Sequence, residues 1–298
     1  TKLKDSLKEA IIESGLKDEM TISFHHHYRN GDNLLLKVID VISGLGIKNI
    51  SLAPSSLTTS HESLVKYIKS GVINEIHTSG VRGKLASYIS KGGLDKPITI
   101  RSHGGRARAI ESGDLKIDVA FLAVPSSDEY GNSNSKKGKT NCGSLGYAKI
   151  DAKYAKHVVV ITDTLEKYPN FPASISQKDI NQVVVIDEIK KKKKISTGAT
   201  RFTKNPKELL IAKNVCEVIK NTNLFKNGFS FQTGSGGASL AVTRFLKKEM
   251  IKNNIKASFV LGGITKPMVK MHEQGLIETL LDVQSFDLTA AKSITQYN

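Results

Sequence analysis

Apolar positions along the chain repeat with two periods, and the alternation between them predicts the elements. In residues 3–14, Leu3, Leu7, Ala10 and Ile11 share one helical face, and Gly15 can end that helix. Residues 21–24 read as a short strand running into His25-His26-His27. A helix over 32–43, a strand over 49–52 ending at Pro54, and helices near 61–69 and 84–90 around a strand at 73–76 follow. Residues 98–100 lead into Arg101-Ser102-His103-Gly104-Gly105, and residues 117–124 are apolar without a break, the mark of a strand buried on both faces. Strands near 157–162 and 182–187 close the first series. A helix over 207–220, a strand over 229–232, a helix over 238–253, a strand over 258–261 and an apolar stretch at 280–283 make the second. Such alternation predicts an α/β fold, a mainly parallel sheet with flanking helices. Residues 198–205 read as a link, which gives domains 1–200 and 201–298, the second unfinished and the chain a piece of a longer protein. Residues 125–147 are rich in Gly, Ser and Asn without periodicity, so they read as a functional or mobile loop.

Composition narrows the class. With 39% hydrophobic and 24% charged residues over 298 positions, the chain can build a core, and wholesale disorder is excluded. Cys142 and Cys216 are its two cysteines, too few for a disulfide scaffold or a Cys-rich zinc module. The apolar runs are too short to span a bilayer, and the first residues carry no secretory h-region, so a cytoplasmic protein is expected. The net charge of +16 raises nucleic acid as a partner, but the cations are mostly Lys. Aromatics are 6% of the chain and are not interleaved with them, which argues against it. The dense run from Lys190 to Lys194 reads as a solvated loop, or as a surface that steers an acidic partner.

Three of the seven arginines fall within Arg101-Ser102-His103-Gly104-Gly105-Arg106-Ala107-Arg108, at a strand end, where open parallel sheets bind ligands. Arginine pairs with carboxylate or phosphate, and Gly-Gly allows close backbone approach, so this stretch points to an anionic substrate. Ser79-Gly80 with Arg82 is a weaker turn of the same kind. Gly234-Ser235-Gly236-Gly237 follows a strand and opens a helix, which suits an anion or a plain tight turn. The next strand ends in Leu261-Gly262-Gly263 without an acid, which excludes a dinucleotide fingerprint. Gly138-Lys139-Thr140 lacks the first P-loop glycine, since position 133 is Ser133. Three consecutive histidines in a strand point to opposite faces, which disfavours one metal ion. Either they hydrogen-bond a bound carboxylate, with Arg29 able to join them, or they pack at the strand end. Cys142 reads as a small loop cysteine. These features alone define an α/β protein for an anionic small molecule. A sugar-phosphate enzyme or sensor, a nucleic-acid binder and a purely structural subunit are its rivals.

Longer stretches go further. Met20-Thr21-Ile22-Ser23-Phe24-His25-His26-His27, Leu52-Ala53-Pro54-Ser55-Ser56, residues 101–110, Val124-Pro125-Ser126-Ser127-Asp128 through Tyr130-Gly131-Asn132, Cys142-Gly143-Ser144-Leu145-Gly146-Tyr147, Gly198-Ala199-Thr200-Arg201 and Phe229-Ser230-Phe231-Gln232-Thr233-Gly234 resemble the citrate lyase alpha subunit family, in order and with matching spacing. The resemblance implies a CoA-transferase-like fold of two related domains. It implies exchange of the acetyl group on an acyl carrier protein (gamma subunit) for citrate, with acetate released. A beta subunit then cleaves the citryl thioester. No cofactor is expected on this chain; the carrier brings a dephospho-CoA-type prosthetic group. An oligomer is expected, with neither nucleic acid nor membrane as partner, and no metal. Relatives of the fold use a Glu nucleophile in a Glu-Asn-Gly turn. Leu261-Gly262-Gly263-Ile264 stands there without a carboxylate, so the resemblance implies direct attack by citrate through a mixed anhydride. On this basis Arg106, His103 and Ser79 are assigned to citrate, with Gly80, Ser102 and His26 beside them. The N–H groups of Gly104, Gly105, Gly234, Gly236 and Gly237 are assigned to thioester or oxyanion oxygens. Gly262 and Gly263 are assigned to leave room for the acyl group.

Overall fold

In the computed structural model, residues 1–28, 31–189, 202–234 and 236–296 are described, the side chains of residues 295 and 296 excepted. Arg29, Ser235, the run from Lys190 to Lys194, Gly198-Ala199-Thr200-Arg201 and the expected 200/201 boundary lie outside them. The chain forms two compact units, Thr1–Asn141 with Leu145–Lys194, and Cys142–Ser144 with Ile195–Asn298.

The first unit begins with β1 (Leu3–Lys4), α1 (Leu7–Glu13), β2 (Thr21–Phe24), α2 (Leu34–Gly44), β3 (Ile50–Pro54) and α3 (Leu64–Lys69). Next come β4 (Ile73–Thr78), α4 (Gly83–Ser90), β5 (Thr99–Ile100), α5 (His103–Glu111) and β6 (Val119–Val124). The short β7 (Ser126–Ser127) and β8 (Ser133–Asn134), then α6 (Gly146–Tyr154), β9 (His157–Thr162) and β10 (Gln182–Val185) complete it. Eight strands form one parallel sheet in the order β1-β10-β9-β6-β2-β3-β4-β5. The chain first winds outward from β2 through β3, β4 and β5. It then returns to the other side of β2 with β6. That reversal is a topological switch point, and it opens a crevice at the carboxyl ends of β2 and β6. The central β6 is buried at all six positions, as its unbroken apolar run predicts.

Two expectations need correction here. Leu3 belongs to β1, paired with Val183 of β10, and not to the first helix. Ser6 sets the boundary: its Oγ accepts the Glu9 N–H at 3.1 Å and caps α1 at Leu7. The segment 125–147 is not a loose loop. β7 and β8 pair antiparallel, and α6 begins at Gly146. Ser126, Ser127, Asp128, Asn132, Ser133 and Asn134 are all buried. The Asp128 carboxylate accepts N–H groups from Tyr130 (3.0 Å), Asn132 (3.0 Å) and Asn170 (2.9 Å), and the Asn132 side-chain amide at 2.8 Å. Those donors hold its pKa below the ordinary carboxylate value although burial works against it. Polar residues that satisfy one another internally leave no hydrophobic period to read.

The second unit contains α7 (Pro206–Lys220), β11 (Phe229–Phe231), α8 (Gly237–Lys252), β12 (Ala257–Ile264), α9 (Lys266–Glu273), β13 (Ile277–Ser285) and α10 (Leu288–Gln296). Its parallel sheet runs β11-β12-β13. Leu246 and Met250 of α8, Val260 and Ile264 of β12, and Met268 and Met271 of α9 form its core. Among the described residues no helix is long and apolar enough to cross a membrane.

Candidate active site

β2 stops at Phe24, and the histidines continue from its carboxyl end. The period of two carries past the strand. His25 and His27 turn to the same side, with ring centroids 4.2 Å apart and exposures of 4% and 1%. Burial depresses the His25 pKa to about 3, so its ring is neutral and packs. His26 takes another course. Its N–H donates to Ser55 Oγ at 3.0 Å, and its Nδ1 lies 2.5 Å from the same oxygen. Its ring stacks on His103 (5.6 Å) and Tyr147 (5.7 Å), while His103 and Tyr147 are 5.2 Å apart. Three rings from the end of β2, the start of α5 and the start of α6 therefore converge at the switch point. Burial, with the Arg106 charge, lowers the His103 pKa, so its imidazole is neutral at pH 7. Burial raises the Tyr147 phenol, against Arg106, and keeps its O–H protonated.

The start of α5 shapes one wall. Ser102 is its N-cap, and Ser102 Oγ accepts the Gly105 N–H at 3.0 Å. A Cβ at Gly105 would lie 2.9 Å from that oxygen, so glycine is required by the cap itself. The Gly105 N–H is thus committed to Ser102, which corrects its assignment as an oxyanion donor. Gly104 differs: a Cβ there would meet nothing within 4 Å, and its N–H opens the positive end of the helix dipole.

Arg106 lies one turn further and is 2% exposed. Its Nη2 donates to Ala53 O at 2.7 Å and to Asp151 Oδ1 at 3.0 Å, with Asp151 fully buried. Arg106 therefore clamps α5 to β3 and α6, and its field reaches both His103 and Tyr147. Ser79 and Gly80 also act at one remove. Ser79 Oγ donates to Ser55 O, and the Leu57 N–H donates to Gly80 O at 2.9 Å, which braces the turn presenting Ser55 to His26. Arg101 faces His77 Nδ1 at 3.3 Å. The structure thus joins His26, His103, Ser102, Gly104, Arg106, Ser79 and Gly80 around one crevice. Ser55, Tyr147 and Asp151 join them without having been singled out. Arg106, Ala109 and Ile110 share the buried face of α5 at helical spacing, a signal that placed the arginine inward.

Gly234, Gly236, Gly237, Gly262 and Gly263 belong to the second unit. Gly236 is the extended N-cap of α8 and Gly237 its first residue. β12 carries a register irregularity between Gly262 and Gly263, with Gly262 at φ +101°. A Cβ at Gly262 would lie 2.8 Å from Gln232 Nε2, and one at Gly263 2.2 Å from the Phe286 ring. The room directly beside these two glycines is filled by the Gln232 side chain and the Phe286 ring, so an acyl group would have to sit further along the strand ends. The turn itself has no carboxylate, but Asp282 of the neighbouring β13 pairs with Gly262. Among the described residues no group of three His, Cys, Asp or Glu side chains is arranged to hold a metal ion.

The parallel sheet with its switch point is that of an α/β protein, and solved neighbours give it the CoA-transferase fold. The solved acyl-CoA transferase YdiF of Escherichia coli O157:H7 shares that fold at TM-score 0.61 and 12% identity, over 92% of this chain and 67% of that one. The family model for citrate lyase, alpha subunit (CitF) matches residues 1–298, and the chain belongs to that family. It is 54% identical over 295 residues to the citrate lyase alpha chain of Klebsiella pneumoniae, covering 99% of this chain and 58% of that one. A solved structure from Streptococcus mutans, described as an alpha subunit of citrate lyase in complex with citrate, superposes at TM-score 0.97 with 56% identity, over all of this chain and 58% of that one. The chain thus spans about 58% of the length of these relatives.

Proposed function

We propose that the chain takes part in acyl exchange: the acetyl group of an acetylated acyl carrier protein is replaced by citrate, giving citryl carrier protein and acetate. The observation that carries this reading is the His26–His103–Tyr147 cluster beside Arg106, in a chain 56% identical to a protein described as bound to citrate. Citrate offers carboxylates and a hydroxyl. The Gly104 N–H, the Tyr147 O–H and the two imidazoles offer donors beside the N-terminus of α5, whose dipole favours an anion.

A citrate carboxylate oxygen attacks the thioester carbon. The carbon–sulfur bond breaks, the carrier thiolate leaves, and an acetic–citric anhydride remains. The thiolate then attacks the citryl carbonyl, the anhydride C–O bond breaks, and acetate departs. Each step needs held geometry and donors for a transient oxyanion rather than a side-chain nucleophile. The prosthetic group, of dephospho-CoA type, arrives on the carrier, and the chain itself holds no cofactor. A beta subunit cleaves the citryl thioester within the same oligomeric assembly, in the cytosol.

The test mixes the chain with acetyl-CoA, as a carrier substitute, and citrate. Mass spectrometry is expected to show a citryl thioester with stoichiometric acetate. No exchange, even with acetylated carrier protein, would sink the reading.

A further inference from the structure

The carboxyl ends of the three strands of the second unit gather polar atoms that are buried without a partner. Thr233 Oγ1 lies two residues beyond β11, Thr265 Oγ1 directly after β12, and Asp282 Oδ1 within β13; among the described residues none of the three finds a hydrogen bond. Buried polar groups are nearly always paired, so three such atoms at one end of one sheet leave hydrogen-bonding capacity for a ligand or water.

Each is orphaned for a local reason. Thr265 is 2% exposed and sits at the N-cap of α9 with extended backbone, yet its hydroxyl makes no capping bond. Asp287 Oδ2 takes the Lys266 N–H instead, at 2.6 Å. Asp282 is held by one oxygen: Ser285 Oγ donates to its Oδ2 at 2.5 Å. Ser285 is buried and packs closely on Gly143, where a Cβ would come 2.0 Å from its Oγ. Oδ1 is left over, where the irregularity at Gly262 and Gly263 interrupts the ladder. Burial, with a smaller contribution from the Asp287 charge, lifts the Asp282 pKa to about 7. Ser285 and the backbone N–H groups of Gln284 and Ile264 work the other way. Near neutral pH the carboxyl therefore spends much of its time as an O–H donor.

The donors at this end are Asp282, two threonine hydroxyls, the Gln232 amide against Gly262, and the N–H groups opening α8. None of these is a cation. At strand spacings of about 4.8 Å they extend over about 10 Å from β11 to β13. Such a row suits a linear, uncharged ligand with carbonyl acceptors, which is the acyl-bearing end of a pantetheine-type thioester rather than citrate.

We propose that this strand end receives the acyl thioester, and that Asp282 donates a hydrogen bond from Oδ1 to its carbonyl oxygen. The inference deepens the exchange reading above and rests on it. Its test uses acetyl-CoA labelled with carbon-13 at the thioester carbonyl, bound to the full chain and followed by difference infrared spectroscopy. The wild-type chain lowers the carbonyl stretching frequency, and this shift fades as pH rises above about 7. Asp282→Ala returns the stretch to its free-solution value and weakens binding about tenfold. Asp282→Asn keeps part of the shift and loses its pH dependence. Thr265→Val weakens binding several-fold. A carbonyl shift unchanged in Asp282→Ala overturns the inference alone. If that variant does not fold, a wild-type shift that ignores pH does so. A wild-type chain that binds neither acetyl-CoA nor acetylated carrier overturns the exchange reading, and the inference with it.

Discussion

Removing the Asp151 carboxylate strands the Arg106 guanidinium. The pair is 2% and 0% exposed, at 3.0 Å, and Arg106 also donates to Ala53 O at 2.7 Å. In Asp151→Ala the guanidinium loses this carboxylate but keeps its burial, because α5 and β3 still hold it. A buried charge left without its partner costs about 3–5 kcal/mol. That is a large part of the roughly 5–15 kcal/mol that stabilises a domain. With a urea slope of about 2 kcal/mol per molar, the midpoint should fall by about 2 M. The double variant Arg106→Met/Asp151→Leu, similar in volume and uncharged, should recover most of that loss. The chain has no Trp, so far-ultraviolet circular dichroism is the suitable probe of urea unfolding. An Asp151→Ala midpoint within 0.5 M of wild type, on the order of 1 kcal/mol, would refute the picture of a dry clamp. So would a double variant whose loss equals the sum of the two singles.

Gly105→Ala should destabilise the first unit by about 0.5–2 kcal/mol, since its Cβ would displace the Ser102 cap; Gly104→Ala should leave the urea midpoint unchanged and reduce exchange, because its methyl enters open space. Tyr147→Phe keeps the ring contacts with His26 and His103 but removes the O–H, so the apparent affinity for citrate should fall about tenfold with the melting curve unchanged. The pH profile of stability reflects opposing groups. His25 and His61, lowered by burial to about 3 and about 4, favour the native state above pH 6.5 and progressively lose that contribution as pH falls from 6.5 toward their folded values. Asp32 and Asp282, each raised by burial to about 7, act oppositely and make the native state less stable as pH rises from about 4 to 7. Asp32→Asn should therefore add about 1.4 kcal/mol per pH unit to the rise in stability between pH 4.5 and 6.5, measured by urea titration at stepped pH.

The parallel architecture was legible because buried parallel strands write themselves as apolar runs, as in residues 119–124. The strand-end position of His26, His103 and Gly104 was legible for a related reason: a strand, a turn and a helix start follow one another within a few residues. Ser55, Tyr147, Asp151 and Asp282 were not singled out. Each is brought to its place by a crossover or a strand pairing that spans about twenty residues or more, and a lone Ser, Tyr or Asp carries no local mark of that. Arg106 was given too exposed a role, because its chemistry outweighed the helical phase it shares with Ala109 and Ile110. The segment 125–147 hid its order because buried polar residues that bond one another look like a loop.

The contact between Gly263 and Phe286 also constrains the order in which this chain can change. A side chain of any kind at position 263 meets the far end of the ring at 2.2 Å, so its arrival requires the ring to turn aside or position 286 to become smaller first. The reverse order is open, since losing the ring first leaves only a cavity. Substitution at 286 therefore eases substitution at 263 more than the reverse. A lineage that keeps the aromatic at 286 can lengthen position 263 only by displacing that ring.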